Sequence, residues 1–244
     1  MQRQFDIVRE QLAATGELRV AVNMSNFLLV NAIDAQGNPD GVSPRIGQYI
    51  ADKLEVPVRL VTYHGPGQIA DAACHDEWDI ANIAAAPERA KHIHFSQAYC
   101  EIQASYLVPP GSGIRSVQEV DRPEVRIAVK ARAAYDLWLS TNLQHASLHR
   151  ASSHDETFEL FKCKRLDALA GLRPKLIEQQ QLMPGSTLFD ESFTAVKQAV
   201  GCKPEHTEAA VFIENQITEL KRAGVIAGLI EQFDVTGKLS LASC

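Results

Sequence analysis

The stretch "ANIAAAPERAKHIHFSQAY", residues 81–99, carries the most informative pattern in the chain. An apolar, alanine-rich run that is typical of a buried strand ends in small residues and turns through Pro87. Arg89 follows in the same turn, and proline is favoured at the first position of a helix. We therefore expect a helix over residues 87–92 whose backbone amides face a cleft together with the Arg89 guanidinium. That arrangement predicts an anion-binding site.

Composition and charge limit the class of protein. The chain has 244 residues, of which 45% are hydrophobic and 22% charged, and its formal net charge is -6. These values are typical of a soluble globular protein with one large domain or two lobes. The acidic balance and the lack of a Lys/Arg run argue against nucleic acid as a partner, because neutralising phosphates needs a basic face. No apolar run approaches the roughly 20 residues that span a bilayer.

Residues 1–16 predict a short amphipathic helix, because Phe5, Val8 and Leu12 recur at helical spacing among charged residues. This segment lacks the apolar centre of a secretory signal. Two alternatives follow: the chain stays in the cytoplasm, or a signal has been removed from this sequence. The cysteines are scattered, odd in number and without CxxC spacing, which predicts free thiols rather than disulfides or a zinc site. They are Cys74, Cys100, Cys163, Cys202 and Cys244.

Short β-branched runs alternate with helical patterns along the chain. The strand-like runs cover residues 18–22, 58–62, 79–83, 126–130, 167–171 and 196–200. The helical patterns cover residues 67–76, 133–143, 154–163 and 205–223, and one more begins with Ser43 as N-cap and Pro44 as first residue. Ser153 and Glu156 have the spacing of a capping box. The alternation predicts a parallel-rich α/β fold, in which no sequence repeat or flexible linker is found.

Six motifs follow one another between about residues 17 and 233. They read "GELRVAVN", "DAQGNPDGVSPRIGQYIADKLEVPVRLV", "EWDIANIAAAPERAKHIHFSQAY", "SYLVPPGSGIRSVQEVDRPEVRIAV", "ETFELFKCKRLDALAGLRP" and "ELKRAGVIAGLIEQF". Their order resembles the bacterial solute-binding proteins of family 3, the extracytoplasmic receptors of polar amino acid ABC transporters. The resemblance implies an α/β fold of the type II periplasmic binding protein class, a two-lobed clamshell with two crossover hinge strands.

The resemblance also implies a domain division and a function. Lobe 1 is expected to comprise residues 1–107 and 200–244, and lobe 2 residues 108–199. A small carboxylate or amino acid-like ligand would be captured between the lobes and presented to the membrane permease of an ABC transporter, without turnover. The family implies a periplasmic location, although the sequence leaves the cytoplasm open. We expect a monomer that needs no cofactor and no metal.

The chain departs from the family at positions that hold the ligand. Ala84 and Ala86 replace the hydroxyl residues that usually help Arg89 to bind a carboxylate. Leu172 and Arg173 stand where an acidic residue usually binds the ammonium group. Arg132 likewise replaces a small polar residue before the second-lobe helix. The three arginines favour an anionic ligand over a zwitterion, with a surface arginine in a local ion pair as the alternative for each.

Other candidate ligand contacts follow the first strand. Asn23, Ser25, Asn26 and Phe27 lie where this fold places polar contacts and a stacking aromatic ring. The alternative is that the asparagines cap turns and Phe27 covers the core. Tyr135 either closes over the ligand or packs in the core.

Catalytic and metal-binding interpretations have less support in the sequence. His92 and His94 are two residues apart, which fits an exposed edge, and no carboxylate or cysteine stands at ligand spacing. An enzyme similar to cyclohexadienyl dehydratase is one alternative function, with Glu101 as the candidate general acid. A cytoplasmic ligand sensor similar to the effector domains of LysR-type regulators is another, although the residues before the first strand are too few for a helix-turn-helix.

Overall fold

The structure is a computed structural model that describes residues 2–242. Cys244, whose thiol the sequence predicts to be free, lies outside the described residues, as do Met1 and Ser243 at the ends of the predicted first lobe. The elements, in chain order, are α1 (Gln2–Leu12), β1 (Leu18–Asn23), β2 (Ala32–Ile33), β3 (Pro39–Asp40), α2 (Val42–Leu54), β4 (Val58–Tyr63), α3 (Pro66–Ala72), β5 (Ile80–Ala84), β6 (His94–Phe95), β7 (Cys100–Val108), β8 (Arg126–Lys130), α4 (Ala134–Asn142), β9 (Ser147–Ala151), α5 (His154–Cys163), β10 (Ala168–Leu172), α6 (Arg173–Gln181), β11 (Thr187–Leu188), β12 (Thr194–Cys202), α7 (Thr207–Arg222), α8 (Val225–Gln232) and β13 (Ser240–Leu241).

The chain forms two compact units. Unit 1 contains Met1–Glu101 and Lys197–Cys244, and unit 2 contains Ile102–Val196. The chain passes from unit 1 to unit 2 within β7 and returns within β12. All six strand-like runs of the sequence coincide with strands of the structure.

Unit 1 is built on three parallel strands. The strand β1 lies between β4 and β5 and runs parallel to both, and β12 pairs with β5 in the antiparallel direction. One face of this sheet packs on Trp78, Ile69 and Ile93, which form a core together with Ala81 and Ile83 of β5. Burial of such side chains stabilises the sheet by about 1.5–3 kcal/mol each.

Unit 2 has a similar arrangement. The strand β8 lies between β9 and β10 and runs parallel to both, and β7 pairs with β10 in the antiparallel direction. The helix α5 contributes Phe158 and Phe161 to a core that includes Ala128 of β8 and Leu169 of β10. Parallel strands buried in this way read as continuous apolar runs, which is why the sequence shows them clearly.

Each unit contains its own arginine–aspartate pair, which the sequence analysis did not identify. In unit 1, the Arg19 backbone nitrogen and Nε donate to Asp79 Oδ2 at 2.7 and 3.0 Å. In unit 2, the corresponding atoms of Arg126 donate to Asp167 Oδ2, both at 2.9 Å. Each arginine lies at the start of a central strand, and each aspartate directly precedes the parallel neighbour. When Arg19 is matched with Arg126, the strands β1 and β8 correspond. Asn23 at the end of β1 then corresponds to Lys130 at the end of β8.

Two predicted helix starts are wrong. Gly41, not Ser43, is the N-cap of α2, since the helix begins at Val42. Glycine is required at this N-cap, because its φ of 149° and its closeness to the Leu29 backbone exclude a side chain. A Cβ there would lie 2.3 Å from the Leu29 carbonyl oxygen. Pro87 does not open an α-helix, since only a single 3₁₀ turn, Arg89–Lys91, follows it.

The capping box of α5 is confirmed in part. The Glu156 amide donates to Ser153 Oγ at 3.1 Å, as the spacing predicts. The Glu156 carboxylate, however, accepts hydrogen bonds from the amide and the hydroxyl of Ser152, one residue before the N-cap. Its pKa is lowered by these hydrogen bonds, with the Ser152 hydroxyl as the largest cause.

Candidate functional site

In unit 1, the segment after β5 places Arg89 at the carboxyl end of a parallel strand. Its side chain is buried, and Nη1 donates to the Ala84 carbonyl oxygen at 2.7 Å. The amides of Ala85, Arg89 and Ala90 donate to carbonyl groups of the chain. The prediction that backbone amides of this turn face a cleft is therefore wrong for these three, and a ligand contact by the Arg89 guanidinium stays a prediction.

Asn82 lies two residues before the end of β5 and escaped the sequence analysis. Its side chain is 2% exposed, and neither its amide nitrogen nor its amide oxygen has a hydrogen-bond partner within residues 2–242. The signal was present in the sequence, because an asparagine interrupts the otherwise apolar run "IANIAAA", residues 80–86. A buried amide without partners is unfavourable, so this position is not explained by packing alone.

The loop after β1 uses its polar side chains in turns. Asn23 Oδ1 accepts from the amide and the hydroxyl of Ser25 at 3.2 and 2.8 Å. Asn26 is buried, and its Oδ1 accepts from the Leu28 amide at 3.3 Å. Phe27 is half-buried. These are the turn contacts that the alternative interpretation describes, and a ligand contact by any of these side chains stays a prediction.

In unit 2, the loop between β8 and α4 is organised by Asp136. The Arg132 amide donates to Asp136 Oδ2 at 2.7 Å, and Arg150 Nε donates to Oδ1 at 2.9 Å. Arg132 has the left-handed φ of 62°, and its side chain is exposed. Tyr135, in the first turn of α4, is 3% exposed, and burial raises the pKa of its hydroxyl. Tyr135 therefore lies in the core.

Arg173 lies directly after β10, at the carboxyl end of a parallel strand. Its Nη1 donates to the carbonyl oxygens of Phe189 and Asp190 at 2.6 and 3.1 Å, and Nη2 to Asp190 Oδ1 at 3.0 Å. The Asp190 carboxylate is fully exposed. A solvated carboxylate is a weak partner that an incoming anion can replace.

Lys130, the last residue of β8, is the cation that the sequence analysis missed. It is 6% exposed, and its ammonium forms no hydrogen bond or ion pair with any of residues 2–242. Burial lowers its pKa to about 8. The run "RIAVK" carried the signal, because the alternation of a strand puts Lys130 on the same face as Ala128.

The candidate groups for catalysis or metal binding do not form a cluster. Glu101 is half-buried in β7, where Ser240 is its register partner in β13. His92 and His94 are exposed. Within residues 2–242 no three His, Cys, Asp or Glu side chains stand close enough to hold a metal ion. Cys74, Cys100, Cys163 and Cys202 are free thiols.

Comparison with known sequences places the chain in a family. The family profile of the bacterial extracellular solute-binding proteins, family 3, matches residues 18–235. The chain belongs to this family. A search among curated proteins found no match. Of the helices within residues 2–242, none is long and apolar enough to cross a membrane.

Solved structures confirm the fold of the type II periplasmic binding proteins. The chain is similar to a solute receptor for L-cysteine of Neisseria gonorrhoeae, with 19% identity, a TM-score of 0.76, and 97% of this chain and 99% of that chain covered. An amino acid ABC transporter substrate-binding protein of Streptococcus pneumoniae, bound to L-arginine, gives 20%, 0.73, 92% and 97%. An ancestral amino acid-binding protein, a precursor of cyclohexadienyl dehydratase, gives 22%, 0.72, 92% and 98%.

Proposed function

We propose that this protein is the solute receptor of an ABC transporter and binds a small carboxylate or amino acid-like solute. The observation that carries the proposal is the cation at the carboxyl ends of parallel strands in each unit: Arg89 after β5, Lys130 at the end of β8 and Arg173 after β10. Ligands of open α/β sheets bind outside these ends of the strands. Family membership and relatives that bind cysteine or arginine support a solute of this size.

The proposed mechanism is capture and presentation. A solute that contacts groups of both units binds more tightly to a closed form than to an open one, and this difference in affinity is what shifts the population. The closed form would then dock on a membrane permease. Fractionation of producing cells tests the location, since a receptor of this kind belongs in the osmotic shock fluid and a cytoplasmic sensor in the spheroplast lysate.

A thermal-shift screen tests the function. Purified protein is melted with single amino acids and with mono- and dicarboxylates, beside the variants Arg89→Ala and Arg222→Ala. Arg222 is exposed at the end of α7 and serves as the matched control. A solute at about 100 times its Kd stabilises the folded state by about 2.7 kcal/mol, which raises the Tm by several degrees.

The expected result is a shift in wild type and Arg222→Ala and a loss of most of that shift in Arg89→Ala. The ligand-free Tm of each variant separates a folding defect from a binding defect. If no carboxylate or amino acid shifts the wild-type protein, the proposal fails. Consumption of prephenate or arogenate by the protein would instead show an enzyme on this fold.

A further inference from the structure

Three side chains in the interior of unit 1 carry polar atoms without a hydrogen-bond partner among residues 2–242. These atoms are the amide nitrogen and oxygen of Asn82, the hydroxyl of Ser43 and the hydroxyl of Tyr99. The three residues are 2%, 2% and 0% exposed, in that order. Burying a polar group without a hydrogen bond is unfavourable, and most buried polar groups in proteins have one. We therefore asked whether the three side chains lie near one another.

The side chain of Asn82 lies on the α2 side of the sheet. A Cβ placed on Gly47 of α2 would lie 2.8 Å from Val20 Cγ1, so α2 packs on the face of β1 that carries Val20. Val22 shares this face, because it is two residues further along the strand, and it pairs with Asn82 in β5. Ile83, the next residue of β5, belongs to the core on the opposite face.

The hydroxyl of Ser43 lies over the same part of the sheet. Ser43 precedes Gly47 by one helical turn, so both residues face the sheet from the same side of α2. The helix α2 lies in the crossover between the parallel strands β1 and β4 and runs back antiparallel to them. One turn back along α2 is about 6 Å, which matches two residues forward along β1, from Val20 to Val22.

The ring of Tyr99 reaches Ser43 from the other side of β5. The Tyr99 amide donates to the Gln198 carbonyl oxygen in β12 at 2.9 Å, and β12 pairs with β5. Burial raises the pKa of the Tyr99 hydroxyl well above its ordinary value, and the nearby Ser43 hydroxyl lowers it in part. The two hydroxyls are thus neighbours, but they are not in hydrogen-bonding geometry. Polar groups placed in this way are commonly bridged by water.

We propose that Asn82, Ser43 and Tyr99 form a buried water-binding site inside unit 1, where ordered water joins α2, β5 and the residue that precedes the start of β7. This inference goes beyond the proposed function and does not depend on it. An amide and two hydroxyls offer donors as well as acceptors, and a buried water molecule makes about three hydrogen bonds. All three side chains are uncharged, so a neutral guest suits them, whereas an ion would lack a counter-charge.

A high-resolution crystal structure of the wild-type protein tests the site directly. We expect a water molecule within about 3.2 Å of the Asn82 amide group and of at least one of the two hydroxyls. A direct hydrogen bond between Ser43 and Tyr99 with no water beside them would overturn the inference. An ion at this position would overturn it as well.

A double-mutant cycle tests the site in solution. Tyr99→Phe removes one oxygen atom and keeps the ring, and Asn82→Ala removes the amide group. If water joins the two side chains, each variant loses hydrogen bonds and its Tm falls by several degrees. The double variant should then lose less than the sum of the two single losses, because the water is already released in either single variant.

Tyr106→Phe is the matched control, since Tyr106 is a buried tyrosine of unit 2. Its effect on the Tm should add to that of Asn82→Ala. An unchanged or higher Tm of Tyr99→Phe would contradict the inference, because that is the result of removing a hydroxyl that has no partner. Strictly additive losses for Asn82→Ala and Tyr99→Phe would likewise show that the two side chains share no water.

Discussion

The lowered pKa of Lys130 makes the free energy of unfolding increase with pH in the alkaline range. Its pKa is about 8 in the folded chain against 10.5 for a free lysine. Between these two values the unfolded chain binds one proton more than the folded chain, so the free energy of unfolding rises with pH. Below pH 8 both states are protonated, and the full penalty of the buried ammonium is present.

Urea denaturation of wild type and Lys130→Met at about pH 7 and about pH 10 measures this effect. Lys130→Met should be the more stable protein at the lower pH, and the difference should become smaller at the higher pH. Other lysines and the tyrosines titrate in both proteins alike, so the difference between the two isolates Lys130. A difference that is constant or grows with pH would contradict the lowered pKa.

At the level of elements, the two arginine–aspartate pairs share the hydrogen bonds from the backbone nitrogen and Nε to one carboxylate oxygen but differ in burial. The side chains of Arg19 and Asp79 are 9% and 6% exposed, whereas those of Arg126 and Asp167 are 43% and 36% exposed. Removing the Asp79 charge leaves the buried Arg19 guanidinium with only the exposed Asp76 carboxylate, to which its Nη2 donates at 2.9 Å. An exposed pair contributes little, because water and salt screen it.

The pair in unit 1 is therefore expected to carry more stability than the pair in unit 2. We predict that Asp79→Asn lowers the free energy of unfolding by about 3 kcal/mol or more and Asp167→Asn by about 1 kcal/mol or less. Chemical denaturation at neutral pH measures both. Equal losses would mean that burial does not distinguish the two pairs.

The sequence predicts strands better than side-chain partners, for a physical reason. Apolar runs and turn residues report local structure, and all six predicted strands are present. The start of α2 at Gly41 depends on a backbone contact with Leu29, and the pairing of Arg19 with Asp79 joins residues 60 positions apart. Such contacts form only once the chain has folded, so neither they nor the isolation of Lys130 could be recognised from local patterns.

At the level of the whole molecule, the same pattern of three parallel strands recurs in both units. Each unit orders three parallel strands in the same way, with its arginine–aspartate pair at one end of the central strand and a polar or charged residue at the other. Under the proposed function, the solute would contact the carboxyl ends of these strands.

Small-angle X-ray scattering tests the closure on solute binding that the proposed function includes. A compact chain of 244 residues has a radius of gyration of about 18 Å, and a closed form should approach this value. We predict that a saturating concentration of a solute found in the thermal-shift screen lowers the radius of gyration of wild type and Arg222→Ala. At the same solute concentration Arg89→Ala should keep its ligand-free value, because it no longer binds the solute. A solute that binds wild type without any change in the scattering curve would show that capture does not involve closure.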